Sequence, residues 1–247
     1  FTIRKIQTQQ YGKNDRSRKL NHMRKLSAKY IFTGKDVLKN GIIETDDTGK
    51  IISIIDTNGK TDEQQSLEYY NGVIVPGFIN AHCHLELSHM KGVINNETVK
   101  ALPGFIDEII SKRSFPDDLH DKIERADLEM NMNGIIAVGD ISNTDDTFNV
   151  KGKSKIHYHT FIETFSTDNK TAEDAFKTAA ENLKQLKDLN LPATIVPHAA
   201  YSVPDTLYEK IIQINADGPK VISVHNQETE SEDQMIRDKT GYLRDIM

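Results

Sequence analysis

Hydrophobic residues recur along this chain in two rhythms, and the change comes near residue 72. Before it, the apolar stretches are short: Ala28–Phe32, Gly41–Glu44 and Ile51–Ile55. Asn40-Gly41, Asp46-Asp47-Thr48-Gly49 and Asn58-Gly59 separate them, and such residues readily take the positive backbone angles of hairpin turns. This predicts a small β module over residues 23–75, too small to hold a site by itself. After Gly72, the apolar runs Val73–Ala81, Ile135–Ile141, Ile156–Thr164, Thr194–Ala200 and Val221–His225 alternate with amphipathic stretches. Runs rich in Val, Ile and Phe suit strands buried on both faces, as in parallel sheets. Ala172, Ala175, Phe176, Ala179, Leu183 and Leu186 fall on one face of a helix over Thr171–Asn190, the spacing of a buried helical stripe. Thr171 with Asp174 is its expected amino-terminal cap. Pro204 is placed to open a further helix at Asp205–Ile214, because the first helical turn does not need the missing N–H.

Repeated strand–helix units predict a parallel α/β fold, either an open sheet or an eightfold barrel. A complete barrel takes roughly 250 residues. A barrel domain over residues 76–247 is therefore expected to be incomplete, and the sequence to be a fragment. Residues 1–22 follow neither rhythm and gather Arg4, Lys5, Lys13, Arg16, Arg18 and Lys19. They read as a leader or disordered tail, with a basic nucleic-acid arm as the alternative.

Composition narrows the classes further. With 247 residues and 37% hydrophobic content, the chain can bury one sizeable core or a large and a small one. Its formal net charge of −6 and lack of a dominant basic stripe give no footprint for nucleic acid. A single cysteine, Cys83, rules out an intrachain disulfide and fits a reducing cytoplasm. There is no apolar run long enough for a membrane span and no signal-peptide core. The expectation is a cytoplasmic chain acting on a small molecule, with neither membrane nor nucleic acid as partner.

The chemistry concentrates at strand ends. In Pro76-Gly-Phe-Ile-Asn-Ala-His82-Cys83-His84-Leu-Glu86, the two histidines lie two apart, so a strand turns both to the same face. Neutral imidazole is a common zinc ligand. Two partly buried imidazoles side by side need a partner to offset lost hydration, which a shared cation supplies. Cys83 turns the other way and reads as a small packing residue. His225 closes another apolar run, in Val221-Ile-Ser-Val-His-Asn-Gln-Glu228, where it can complete a metal triad while Glu228 handles protons. On its own, Glu228 reads as a loop glutamate, with its neighbours Glu230, Glu232 and Asp233 on a solvated helix start. His198 also ends a strand, and the two remaining runs end in or near Asp140 and Glu163. Polar groups gathered at one end of apolar strands suggest a functional rim, since strand carboxyl ends build barrel active sites. His157 and His159 sit at a strand start and are set aside. His89 and His120 read as surface residues.

At these residues the sequence resembles the amidohydrolase superfamily, in the branch of cytosine, adenosylhomocysteine and aminofutalosine deaminases and of chlorohydrolases. Val75-Pro-Gly-Phe-Ile-Asn-Ala-His-Cys-His-Leu-Glu-Leu carries most of the likeness, with Pro197-His-Ala-Ala-Tyr-Ser and Val224-His-Asn-Gln-Glu. Gly41-Ile-Ile and Gly49-Lys-Ile-Ile-Ser-Ile match the family's small β domain. The resemblance implies a distorted TIM (β/α)8 barrel, here partial, beside a small β-sandwich. It implies His82, His84 and His225 as ligands of one divalent metal ion, zinc before iron, and Glu228 as the catalytic proton shuttle. His198 and Glu86 would contact substrate. Such enzymes are often dimers, which allows a homodimer here. The family's later histidine and aspartate find no match in this sequence, so activity of the chain alone is in question. Thr194-Ile-Val-Pro-His198 lacks the bridging lysine of dimetal members, which favours one metal.

The function expected is hydrolysis of a carbon–nitrogen bond other than a peptide, deaminating a purine- or pyrimidine-type heterocycle. The alternatives are a chlorohydrolase or cyclic-amide hydrolase of the same superfamily, or a metal-binding chain without catalysis.

Overall fold

The computed structural model describes residues 23–60, 63–93, 108–109, 111–112, 116–166, 168–217 and 220–246. Residues 1–22, read above as a leader or tail, lie outside the described residues. The chain divides into two compact units, Phe1–Phe78 and Ile79–Met247, against an expected boundary between residues 75 and 76.

The first unit is one sheet of β1 (Arg24–Phe32), β2 (Val37–Lys39), β3 (Ile42–Thr45), β4 (Ile51–Ile55) and β5 (Leu67–Ile74). β1 runs antiparallel to β2 and β3 and parallel to β5, and β4 pairs antiparallel with β3. Leu26, Ala28, Ile31, Ile43 and Ile74 form its core. Asn40 and Asn58 take the left-handed angles that the Asn-Gly pairs predict, with φ of 53° and 52°. The run read as Val73–Ala81 is two strands instead. β5 ends at Ile74 and β6 begins at Phe78, with Pro76 between them, a residue that has no N–H for a ladder.

The second unit is α/β. Its sheet holds β6 (Phe78–Cys83), β7 (Ile135–Ser142), β8 (His157–Thr164) and β9 (Ala193–Pro197) in sequential order, and β7, β8 and β9 pair in parallel. The helices are α1 (Leu119–Met132), α2 (Phe148–Lys153), α3 (Asn169–Asp188), α4 (Asp205–Ile214), α5 (Glu230–Asp238) and α6 (Tyr242–Ile246). Leu183 and Leu186 of α3 and Leu207 and Ile211 of α4 bury against Ile162 and Ile195. Side-chain alternation divides each strand between two layers. Val138 and Tyr158 pack toward α1 and α2, while Ile141, Phe161 and Val196 cluster on the opposite face. None of the described helices is long and apolar enough to cross a membrane.

Two expectations change. The cap of α3 is Asp168, not Thr171 with Asp174: its carboxylate accepts the N–H groups of Lys170 and Thr171 at 2.8 and 3.0 Å. Extended backbone at Asp168 (φ −151°, ψ 168°) lets the short side chain reach back over the first turn. The fifth run, Val221–His225, makes no ladder. His225 forms a single parallel bridge with Ala199, and Val221, Ile222 and Val224 are exposed, so little burial holds the segment as a strand.

Candidate metal centre

β6 delivers the first two histidines. His82 lies within it and His84 just past its end. Gly139 of β7 lets the strands approach: a Cβ there would lie 2.6 Å from the Ala81 carbonyl oxygen. Cys83 points the other way, into the core with Leu85, Val138 and Tyr158. Burial, then Asp140, pushes its thiol up to about 12, so it stays protonated and unreactive.

His225 arrives from far along the chain. Its N–H donates to the His198 carbonyl at 2.7 Å, and the Thr194 hydroxyl donates to the Val221 carbonyl at 2.8 Å. These bonds fix the segment in place of a ladder. The His82 ring centroid lies 5.1 Å from that of His84 and 5.0 Å from that of His225, and the His84 and His225 centroids are 5.7 Å apart. Each ring offers a nitrogen, and the three nitrogens lie within 4.8 Å of one another. His84 is lowered from its ordinary value, chiefly by burial, which favours the neutral, electron-donating imidazole.

A carboxylate stands behind this group. Glu163 is the penultimate residue of β8, and one of its oxygens, Oε1, lies 2.9 Å from Nδ1 of both His198 and His225. Burial would raise the Glu163 carboxyl, but the hydrogen bonds and charges of the two histidines hold it far below the usual carboxylate range. The same contact raises His225. Glu163, His198 and His225 form a second cluster close enough to surround a cation.

Glu228 follows His225 in a turn, with Oε1 3.8 Å from His225 Nε2 and the side chain 29% exposed. Its backbone is pinned by Glu232, whose carboxylate accepts the N–H groups of Gln227 and Glu228 at 3.0 and 2.9 Å. Glu232 is 1% exposed, so reading it as part of a solvated helix start is corrected. The signal available was Thr229-x-x-Glu232, a capping-box pattern. Thr229 indeed caps α5 by accepting from the Glu232 N–H.

Glu86, expected against substrate, is linked to Glu163 through the Asn143 side-chain amide. It is buried at 1% exposure, and its carboxylate accepts the N–H groups of Asn143 and Thr144 at 2.9 and 3.0 Å. The Thr144 hydroxyl and the Asn143 amide also donate to it. Glu86 thus ties the turn after β6 to the turn after β7. His89, read as a surface residue, is instead 6% exposed, tucked in by the short 3-10 helix Leu85–Met90. His120 is exposed as expected. His159 hydrogen-bonds Thr194 Oγ1 at 3.0 Å.

Residues 73–244 match the amidohydrolase family. Among curated relatives, the chain is 30% identical over 228 residues to a 5'-deoxyadenosine deaminase of Methanococcus maripaludis, covering 85% of this chain and 51% of that one. It is 26% identical over 202 residues to an adenosine deaminase of Helicobacter pylori, covering 80% and 49%. The chain spans about half the length of the curated relatives it matches. Of solved structures, Helicobacter pylori aminofutalosine deaminase in complex with methylthio-coformycin superimposes with a TM-score of 0.76 at 23% identity, over 90% of this chain and 55% of that one. Guanine deaminase from C. acetobutylicum gives 0.66 at 18% identity, over 91% and 59%. These likenesses establish the fold as that of the amidohydrolase TIM barrels, with the four described strands forming an open part of the barrel.

Proposed function

This chain belongs to the amidohydrolase family, and from that premise we propose that it carries the metal-holding half of a hydrolase that deaminates an adenosine-type heterocycle. The observation that carries the reading is the convergence of His82, His84 and His225, with ring nitrogens within 4.8 Å and Glu228 beside them. The donor chemistry fits a divalent cation: three imidazoles, one lowered by burial and one oriented by a carboxylate through its other nitrogen. That pairing is the usual outer support of a metal-bound histidine. Zinc is the ion we assign, with iron the alternative, because three imidazoles are a familiar zinc ligand set. A cation held there would supply acidity, lowering the pKa of water from about 16 towards ~7.

The chain's own residues would do the rest. Hydrolytic deamination adds water across a ring C–N position and expels ammonia, leaving a carbonyl in place of the amino group. Glu228 would take the proton released by water, give it to the ring nitrogen, and help protonate the departing amine. Acid–base help of this kind contributes about 10²–10⁴-fold. His198, with Nδ1 committed to Glu163, offers Nε2 to the substrate. The adenosine-type substrate is supported by the curated relatives, which are named for adenosine and 5'-deoxyadenosine. The test is ammonia release by the metal-loaded full-length protein across adenosine, 5'-deoxyadenosine and related aminopurine nucleosides. Release from at least one is expected. No ammonia from any of them, with chloride or a ring-opened acid from other substrates, would replace this reading by the chlorohydrolase or cyclic-amide alternative.

A further inference from the structure

Glu163 is buried and its two oxygens are fully engaged. Oε1 meets Nδ1 of His198 and Nδ1 of His225, each at 2.9 Å, and Oε2 accepts from the Asn143 side-chain amide at 3.2 Å. An ionised carboxylate only accepts, so Asn143 and His198 donate to it, and a lone pair on His225 Nδ1 would face it in repulsion at 2.9 Å, which places the proton on that nitrogen as well. The Asn143 amide nitrogen is itself fixed, because it also donates to Glu86 Oε1 at 3.3 Å, and the Asn143 backbone N–H donates to Glu86 Oε2. The two imidazole rings it holds lie 4.7 Å apart.

We propose that Glu163 is the positioning residue of the site: through one oxygen it locks His198 and His225 together as Nδ1–H tautomers, so that both present Nε2 to the reacting centre. This deepens the metal-site reading and rests on it for its functional consequence. A ring whose Nδ1–H is held by a carboxylate has its lone pair on Nε2, and its orientation is set before any ligand arrives. One acceptor shared by two rings also couples them, because moving either ring strains the bond to the other. Only a carboxylate satisfies this arrangement. A glutamine could keep its carbonyl toward the two rings, but its NH2 would then face the NH2 of Asn143. Turning Asn143 over would in turn set its oxygen against the Glu86 carboxylate.

The test combines two measurements on this chain. In the wild type without metal, nitrogen-15 NMR of the histidine rings at about pH 8.5, where free imidazole is neutral, should find His198 and His225 both protonated at Nδ1. Either ring protonated at Nε2 would overturn the proposal. Glu163→Gln should then weaken zinc binding by about 10–100-fold, the range for loss of an outer-shell partner, with the far-UV circular dichroism of the wild type retained. Zinc affinity within twofold of wild type in a folded Glu163→Gln would equally overturn it. Should Glu163→Gln fail to fold, the wild-type tautomers alone decide. Should the wild type bind no zinc, the metal reading falls, while the tautomer measurement still passes or fails this one.

Discussion

Asp140 of β7 and Lys151 of α2 form an ion pair in which both side chains are fully buried. Asp140 Oδ1 also accepts the Leu85 N–H at 2.8 Å, one residue beyond His84. Lys151 spends its other protons on Ser142 Oγ and Thr160 Oγ1, at 2.9 and 3.1 Å. Asp140 therefore belongs to the helix-facing layer and supports the ligand strand from behind. Removing one member of such a pair leaves an uncompensated buried charge, which typically costs about 3–5 kcal/mol. Lys151→Met should lower unfolding stability by about that much in urea denaturation. The double variant Asp140→Asn with Lys151→Met should recover part of the loss. If Lys151→Met cost less than about 1 kcal/mol, the pair would not be the internal support described.

Gly139 of β7 faces the ligand strand with no room for a side chain. An alanine Cβ would sit 2.6 Å from the Ala81 carbonyl oxygen and 3.0 Å from Phe161 Cε2. Backbone cannot yield as a flexible side-chain tip can, so His82, the next residue, must move. Overpacking of this kind costs about 1–3 kcal/mol. Gly139→Ala should show that loss by thermal melting, together with weaker zinc binding by calorimetry. Unchanged zinc affinity would mean that the displacement is absorbed before it reaches His82.

Much of the site was legible because it follows from the period of a strand. His82 and His84 share a face and Cys83 opposes them, whatever the tertiary detail. His198, just past the end of β9, was equally plain from the apolar run before it, and His225 was found by the same rule although its own run forms no strand. What the sequence hid is what folding joins across distance. Glu163 reads as one polar strand end among several, and nothing local says that its single oxygen serves two imidazoles. Glu232 lies in the acidic stretch Glu228–Asp233, and charge density argues for solvent. The α5 start turns it inward to meet two backbone N–H groups. The strand at Val221–His225 failed for a related reason: apolarity predicts a strand only where neighbours cover both faces, and here three of its apolar side chains stay exposed.

Metal binding should register as stability. A ligand that binds only the folded state stabilises it by about 2.7 kcal/mol at 100 times its Kd. Zinc at that excess should raise the melting temperature of the chain, and a chelator should reverse the rise. His84→Ala and His225→Ala should each abolish the zinc-dependent shift. His198→Ala should retain most of it, because His198 is outside the three-imidazole group. A shift that survives both His84→Ala and His225→Ala would place the ion elsewhere.

Turning Glu228 toward His225 depends on Glu232. With both Glu232 oxygens accepting from the turn, Glu232→Ala would leave two backbone N–H groups without partners, each costing about 1–3 kcal/mol if still buried. In the full-length protein, Glu232→Ala should lower kcat for the deamination proposed above while leaving zinc affinity within a few fold. An equal loss of zinc affinity would indicate collapse of the His225 segment rather than misplacement of Glu228.

Alkaline pH offers a check on packing away from the metal centre. The Tyr158 hydroxyl donates to Asp127 Oδ1 at 2.7 Å, and burial, then that hydrogen bond, raises the phenol far above its ordinary value. The folded state therefore favours the neutral phenol more strongly than the unfolded chain does. Its contribution is fully present below the unfolded pKa of about 10. It is lost progressively as pH rises above that value, because the unfolded chain then releases the proton first. Tyr158→Phe removes both the bond and the ionisation. At neutral pH it should cost about 0.5–1.5 kcal/mol, and that deficit relative to wild type should shrink as urea denaturation is repeated at higher pH, from about 9 to about 11. A constant deficit across the range would mean that Tyr158 ionises as easily in the folded protein as in the unfolded one, against its burial beneath α1 and α2.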